Sequence, residues 1–207
     1  MKKLVLTVCC GGLLAGSLSA QETSLFSFQV GGGFTQPVGN TGRHLDEGWN
    51  VQAGGGINFG PYVGAMIDVG YNSFGINSAT LANIGVPGGD LHIFSATLDP
   101  IVHLNPHGHI DMYLTGGGGI YHRYQEFTQP AVATTVGFDP FFGFFPAQVP
   151  VNQVLASYSI NKPGIDAGAG ISIGTKWHGK FYAEARYNRI FTDRHTDYIP
   201  VSFGFRW

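Results

Sequence analysis

Period-two alternation is clearest at the carboxyl end of the chain. From Tyr198 to Trp207, Ile199, Val201, Phe203, Phe205 and Trp207 fall on one face of an extended segment, and Pro200, Ser202, Gly204 and Arg206 fall on the other. The same reading repeats towards the amino end. Phe181, Ala183, Ala185 and Tyr187 oppose Tyr182, Glu184, Arg186 and Asn188; Ile165, Ala167, Ala169, Ile171 and Ile173 oppose Asp166, Gly168, Gly170, Ser172 and Gly174. A fifth strand runs from about His109 to Arg123, with Ile110, Met112 and Leu114 opposing Asp111, Tyr113 and Thr115. A fourth, about His92 to Leu104, turns Phe94, Ala96, Leu98 and Val102 outward, although Ile93 and Ile101 blur its alternation. Three earlier segments complete the set: Val63 to Gly70, Asn50 to Phe59 and Phe26 to Val30. The pattern predicts eight strands, most of them near the ten residues that a tilted strand needs to cross hydrocarbon.

Charge placement tests which face meets what. A charge costs about 2 to 4 kcal/mol on a lipid face near the midplane and little in a barrel lumen. The polar faces carry Asp68, Asp99, Asp111, Arg123, Asp166, Glu184, Arg186 and Arg206, and Arg189 alone falls on the apolar face, at the end of its strand. Connections alternate as well. Gly60-Pro61, Asn105 to Gly108 and Lys176 to Lys180 read as tight turns; residues 35 to 48, 75 to 90 and 125 to 158 read as long loops, and 191 to 197 as an intermediate one. Short periplasmic turns, long external loops and both termini in the periplasm fit this order.

Composition supports a surface that does not face water. Charged residues make up 12% of the 207-residue chain and glycine supplies 32 positions, about half and about twice the usual shares. Past residue 20 no apolar run is long enough for a spanning helix, so a closed barrel is the way left to satisfy the backbone in hydrocarbon. A soluble lipocalin-like barrel would show the reverse faces, apolar inside and charged outside.

Residues 1 to 20 have the layout of a secretory signal peptide: Lys2 and Lys3, an apolar segment from Leu4 to Ala15, and Leu18-Ser19-Ala20 as the cleavage site. The domain expected after it is a barrel over residues 21 to 207. Cleavage leaves nine basic against 13 acidic residues, which suggests no nucleic-acid partner. Cys9 and Cys10 are both in the removed segment, and Val8 is too bulky for a lipoprotein processing site, so the mature chain has no thiol chemistry.

The layout resembles the small OmpA- and OmpX-type barrels and, more broadly, the outer-membrane β-barrel domain family. The most specific element is the terminal Phe203-Gly204-Phe205-Arg206-Trp207, in which tryptophan stands where phenylalanine is commoner. The resemblance implies an all-β, eight-stranded antiparallel up-and-down transmembrane barrel in a bacterial outer membrane. It also implies contact with outer-membrane lipid and recognition of the last strand by the barrel assembly machinery. It implies little about activity.

Candidate chemistry is sparse. The eight polar-face charges named above can form an ion or proton pathway, or pair and fill a lumen too narrow for an open channel, with Glu184 and Arg186 at the centre. His103, His107 and His109 are spaced closely enough to consider a metal, but no cysteine joins them, and incidental histidines at a turn are the expectation. Ser95 follows His92 by three residues, which puts them on opposite strand faces, and the His-x-Ser motif of lipid A deacylase barrels is absent. No enzyme, cofactor or metal site is expected. Glycine runs 31 to 33, 54 to 56 and 116 to 119 lack the setting of phosphate-binding loops and read as places where strands bend and interior side chains pass.

The remaining lead is Phe138, Phe141, Phe142, Phe144 and Phe145 within the 138 to 146 segment. This cluster can plug the mouth, dip into outer-leaflet lipid or bind an apolar ligand, with packing against the barrel rim as the plain expectation. Two functions follow: a non-catalytic barrel whose external loops serve surface contact or envelope integrity, or a barrel that binds or transports a small apolar ligand behind the 138 to 146 gate.

Overall fold

The computed structural model describes residues 25–175 and 179–207, and within it eight antiparallel strands close into a barrel in chain order. The expected signal peptide, and residues 176 to 178 of one expected turn, lie outside the described residues. The strands are β1 Phe26–Pro37, β2 Leu45–Asn58, β3 Val63–Ile76, β4 Gly88–His103, β5 Ile110–Asp139, β6 Gly143–Gly174, β7 Lys180–Ile190 and β8 Thr196–Arg206. One short helix, α1 Ser78–Ile84, follows β3; Asn77 caps it by accepting from the Ala79 N–H at 2.9 Å, and Gly85 ends it at φ +70°.

Closure happens at the seam between the first strand and the last. β1 pairs with β2 on one side and β8 on the other, and beyond the ladder Phe28 and Trp207 exchange backbone hydrogen bonds of 2.8 and 2.9 Å. Every strand thus has two neighbours within the barrel, and no edge is left in hydrocarbon.

The outer face is apolar along its length. Phe28, Val30, Val51, Ile67, Val69, Leu98, Leu114, Ile165 and Ile171 are exposed there. Two levels of aromatic side chains bracket this belt. At one, Trp49, Tyr71 and Phe94 stand in series with centroids 5.2 and 4.7 Å apart; at the other, Phe28, Trp207, Phe205 and Phe181 do so at 6.3, 6.0 and 5.3 Å. Paired aromatic girdles about an apolar band are the lipid-facing arrangement of a membrane barrel.

Strand lengths differ from the expected ones, mostly at one end of the barrel. The tight turns and both described termini share the opposite end, called here the turn end. At the hairpin end, the expected loop over residues 125 to 158 is a regular β-ladder: β5 and β6 run to 30 and 32 residues and pair out to Asp139 and Gly143. β4 stops pairing at Thr128 and β7 at Gly164, so the remainder is a two-stranded ribbon. The 11 residues from Gln129 to Asp139 correspond to about 37 Å of strand. The other loops shorten in the same way, because residues 35 to 37 extend β1 and residues 45 to 48 extend β2.

Candidate functional site

Two features carry the chemistry of this chain: the interior of the barrel and the projecting β5–β6 hairpin.

Arg186 occupies the middle of the lumen. Its position on β7 alternates with lipid-facing neighbours, and inside it is 7% exposed. A charge taken from water to this depth requires partners, and four carboxylates from four strands supply them. Its Nη2 donates to Asp68 at 3.0 Å and to Glu184 at 2.8 Å, its Nη1 donates to Asp99, and Asp166 stands 3.6 Å away. Arg206 continues the group towards the turn end. It is 4.0 Å from Glu184, donates to Gln29 Oε1 at 2.6 Å, and sits over the rings of Tyr113 and Tyr182 at 4.5 and 5.3 Å. Neutral groups complete the set. Gln29 donates to Asp68 at 2.6 Å, Thr97 to Asp99 at 2.8 Å, Tyr113 to Glu184 at 3.0 Å and Tyr121 to Asp166 at 3.4 Å.

Of the eight polar-face charges, the structure therefore brings together Asp68, Asp99, Asp166, Glu184, Arg186 and Arg206. It keeps two apart. Asp111 lies at the turn end, 2.6 Å from His103 Nδ1 and 3.5 Å from Lys180. Arg123 lies at the hairpin end, where its Nη2 donates to Gln125 at 3.1 Å in a cup of about 230 Å³ shared with His44, Arg194 and His195.

Room for the group comes from glycine on facing strands. A side chain at Gly54 would meet the Asp68 carboxylate, one at Gly117 the Asp99 carboxylate, one at Gly170 the Tyr113 ring and one at Gly31 the Tyr182 hydroxyl. The space left beside Arg186, between Asn50, Asp68, Asn72 and Asn188, is about 30 Å³, room for about two water molecules.

Apolar layers cover the charges on both sides. Towards the hairpin end Phe74, Leu91, Ile93, Tyr121, Ile190 and Tyr198 form one cluster, and towards the turn end Met66, Ile101 and Tyr113 form another. Ile93 and Ile101, which blur the β4 alternation, face inward as parts of these layers. The partner hydroxyls and amides, and the layering itself, are missed by the charge-based reading; the polar-face position of Tyr113 was the available signal.

The phenylalanine segment departs from expectation. It does not pack on the barrel rim. Phe138 and Phe144 pair on the last rung but one of the ribbon with ring centroids 5.1 Å apart, and Phe141, Phe142 and Phe144 are 91%, 88% and 78% exposed. The ladder holds the tip away from the mouth, because regular pairing continues through Val136 and Pro146. Asp139 caps the tip by accepting from the N–H groups of Phe141 and Phe142 at 2.8 and 3.0 Å, and Gly143 closes it at φ +76°.

The histidines serve separate places. His103 faces the lumen beside Asp111, whereas His107 lies in the turn with its ring 6.0 Å from that of Tyr62. Among the described residues no group of three His, Cys, Asp or Glu side chains is placed to hold a metal ion. His92 contacts Tyr71 on the outer face at 2.9 Å, while Ser95 lines the central space inside.

A closed antiparallel ring with an apolar girdled exterior, a charged and buried interior and long hairpins at one end defines a small transmembrane β-barrel. The chain belongs to the family of outer membrane protein beta-barrel domains, which it matches over residues 8–206. It is a bacterial outer-membrane barrel. Among solved structures it is similar to Neisserial surface protein A, at 15% identity and a TM-score of 0.56, covering 88% of this chain and 96% of that one. Ail of Yersinia pestis, solved with the heparin analogue sucrose octasulfate, aligns at 19% identity and a TM-score of 0.49, covering 89% and 100%. OprG of Pseudomonas aeruginosa aligns at 12% identity and a TM-score of 0.46, covering 91% and 99%. No curated protein matches the chain.

Proposed function

We propose that this protein is a non-catalytic, non-conducting outer-membrane barrel that anchors the β5–β6 hairpin and presents it for contact beyond its own membrane. In this reading both termini and the tight turns are periplasmic, the hairpin is external, and assembly proceeds through recognition of the terminal strand. The observation that carries it is the pairing of a filled lumen with a ribbon that extends the barrel wall outward. Arg186 and its four carboxylates cross the middle of the barrel, between two apolar layers. A hydrated ion passing this point would have to displace that group, and an apolar solute would have to pass it without a partner for the charges. The same observations weigh against transport of a small apolar ligand behind residues 138 to 146, since that segment stands clear of the mouth.

Planar-bilayer recording combined with a cell-attachment assay tests this reading. Replacing residues 129 to 153 by an Asn-Gly turn joins Thr128 to Val154, which already face each other across the ladder. Neither the wild-type chain nor this variant is expected to give conductance steps, and cells displaying the variant are expected to attach less to a second cell layer. Solute flux that depends on residues 138 to 146 would establish the transport reading instead, and equal attachment would end the contact role.

A further inference from the structure

The hairpin carries one charged residue, Asp139, across the 35 positions from Phe127 to Asn161. An exposed ribbon in water ordinarily carries charge on at least one face. Here the shaft bears neutral polar and aliphatic side chains, and the tip is aromatic on every side. Phe138 and Phe144 share one face, Phe145 lies on the other against Gly137, and Phe141 and Phe142 cover the end. A groove on a protein covers one face of such a tip. Hydrocarbon surrounds it.

The backbone of the tip fits the same surroundings. A group entering lipid must have its donors satisfied or absent. Pro140 and Pro146 have no N–H, and the N–H groups of Phe141 and Phe142 are held by Asp139. Proline also weighs against a second copy adding a strand along the ribbon, because Pro130 on β5 and Pro146 and Pro150 on β6 cannot donate to it. With no lysine or arginine between Phe127 and Asn161, anionic groups gain no ion pair, so the partner surface is apolar rather than charged.

We infer that the tip of the β5–β6 hairpin, Phe138 to Phe145, inserts shallowly into the bilayer of an opposing membrane. This rests on the contact role proposed above and names its partner as lipid. Insertion is limited to the tip, because the ribbon edges behind it carry unpaired backbone groups that stay in the headgroup region or in water.

The test uses the full chain folded in phosphatidylcholine nanodiscs and mixed with separate phosphatidylcholine vesicles, with empty nanodiscs as background. The barrel is expected to float with the vesicles, equally well when phosphatidylglycerol replaces part of the lipid and equally well at high salt. A Phe142→Trp variant is expected to show a blue-shifted emission on vesicle addition. The double variant Phe141→Asp, Phe142→Asp is expected to lose flotation by about tenfold or more, since a buried phenylalanine side chain is worth about that factor on transfer from water. Its heat-modifiable migration shows that the barrel is intact. Absence of flotation by the wild-type chain, flotation undiminished in the double variant, or flotation that needs anionic lipid and falls with salt would each overturn the inference. So would self-association of nanodiscs that the double variant abolishes. Attachment that persists without flotation ends the lipid inference alone, whereas loss of attachment dependence on the hairpin ends the contact role as well.

Discussion

Arg186 on β7 donates through Nη1 to Asp99 on β4, two side chains 87 positions apart in sequence that meet inside the lumen. The guanidinium can do this only because Glu184 and Asp68 take its remaining donors, Asp166 stands 3.6 Å from Nη1 as a fourth carboxylate, and the neighbouring strands carry glycine. Removing it leaves four carboxylates buried together without their common cation. Replacement by Leu is expected to lower stability by about 3 to 5 kcal/mol, read as the urea midpoint for unfolding from phospholipid vesicles. Asp166→Asn keeps the shape and removes one of four like charges, and a change of at most about 1 kcal/mol is expected from it.

Glycine in the wall acts through the same space. Gly170→Val places a side chain against the Tyr113 ring, which moves the hydroxyl away from Glu184. A loss of about 1 to 3 kcal/mol follows from such overpacking. Gly174→Ala, where nothing lies within 4 Å of a new Cβ, is expected to change the same unfolding midpoint by less than about 0.5 kcal/mol.

Position along the belt sets the cost of a lipid-facing charge. Leu98 is exposed on the outer face between the two aromatic girdles, and Leu104 is exposed at its turn-end margin. Leu98→Arg is expected to destabilise the folded barrel by about 2 to 4 kcal/mol and Leu104→Arg by about 0 to 1 kcal/mol. Equal losses in vesicle refolding titrations would mean that the membrane is not where the girdles put it.

The projecting ribbon contributes little to the barrel that carries it. From Gln129 to Asp139, β5 pairs with β6 alone, and an isolated two-stranded ribbon is marginal in water. Replacing residues 129 to 153 by Asn-Gly is expected to leave heat-modifiable migration unchanged and the unfolding midpoint within about 1 kcal/mol of wild type.

Where the two sides of a strand meet different media, the pattern of residues is legible. β3, β7, β8 and the barrel part of β6 show this, and so does the placement of Asp68, Asp99, Asp166, Glu184, Arg186 and Arg206 opposite the apolar belt. Legibility fails where the media become alike. Along residues 125 to 158 neither face of the ribbon is buried, so no apolar core sets odd positions against even ones, and a regular ladder reads as a loop. In β4 the contrast fails for the other reason: Leu91, Ile93 and Ile101 point inward and are still apolar, because the lumen holds apolar layers above and below its charges.

Lipid acts on each outward side chain separately, one residue at a time, and the belt, the strand count and the apolar terminal strand were therefore determined by the sequence alone. Partners in the lumen depend on something no single strand contains. Strand tilt and register brought Arg186 to Asp68 across a separation of 118 residues, left Asp111 and Arg123 out of that group, and carried five phenylalanines away from the rim on a ribbon. Those choices belong to the closed tertiary structure, since only ring closure decides which positions on distant strands come to share one level.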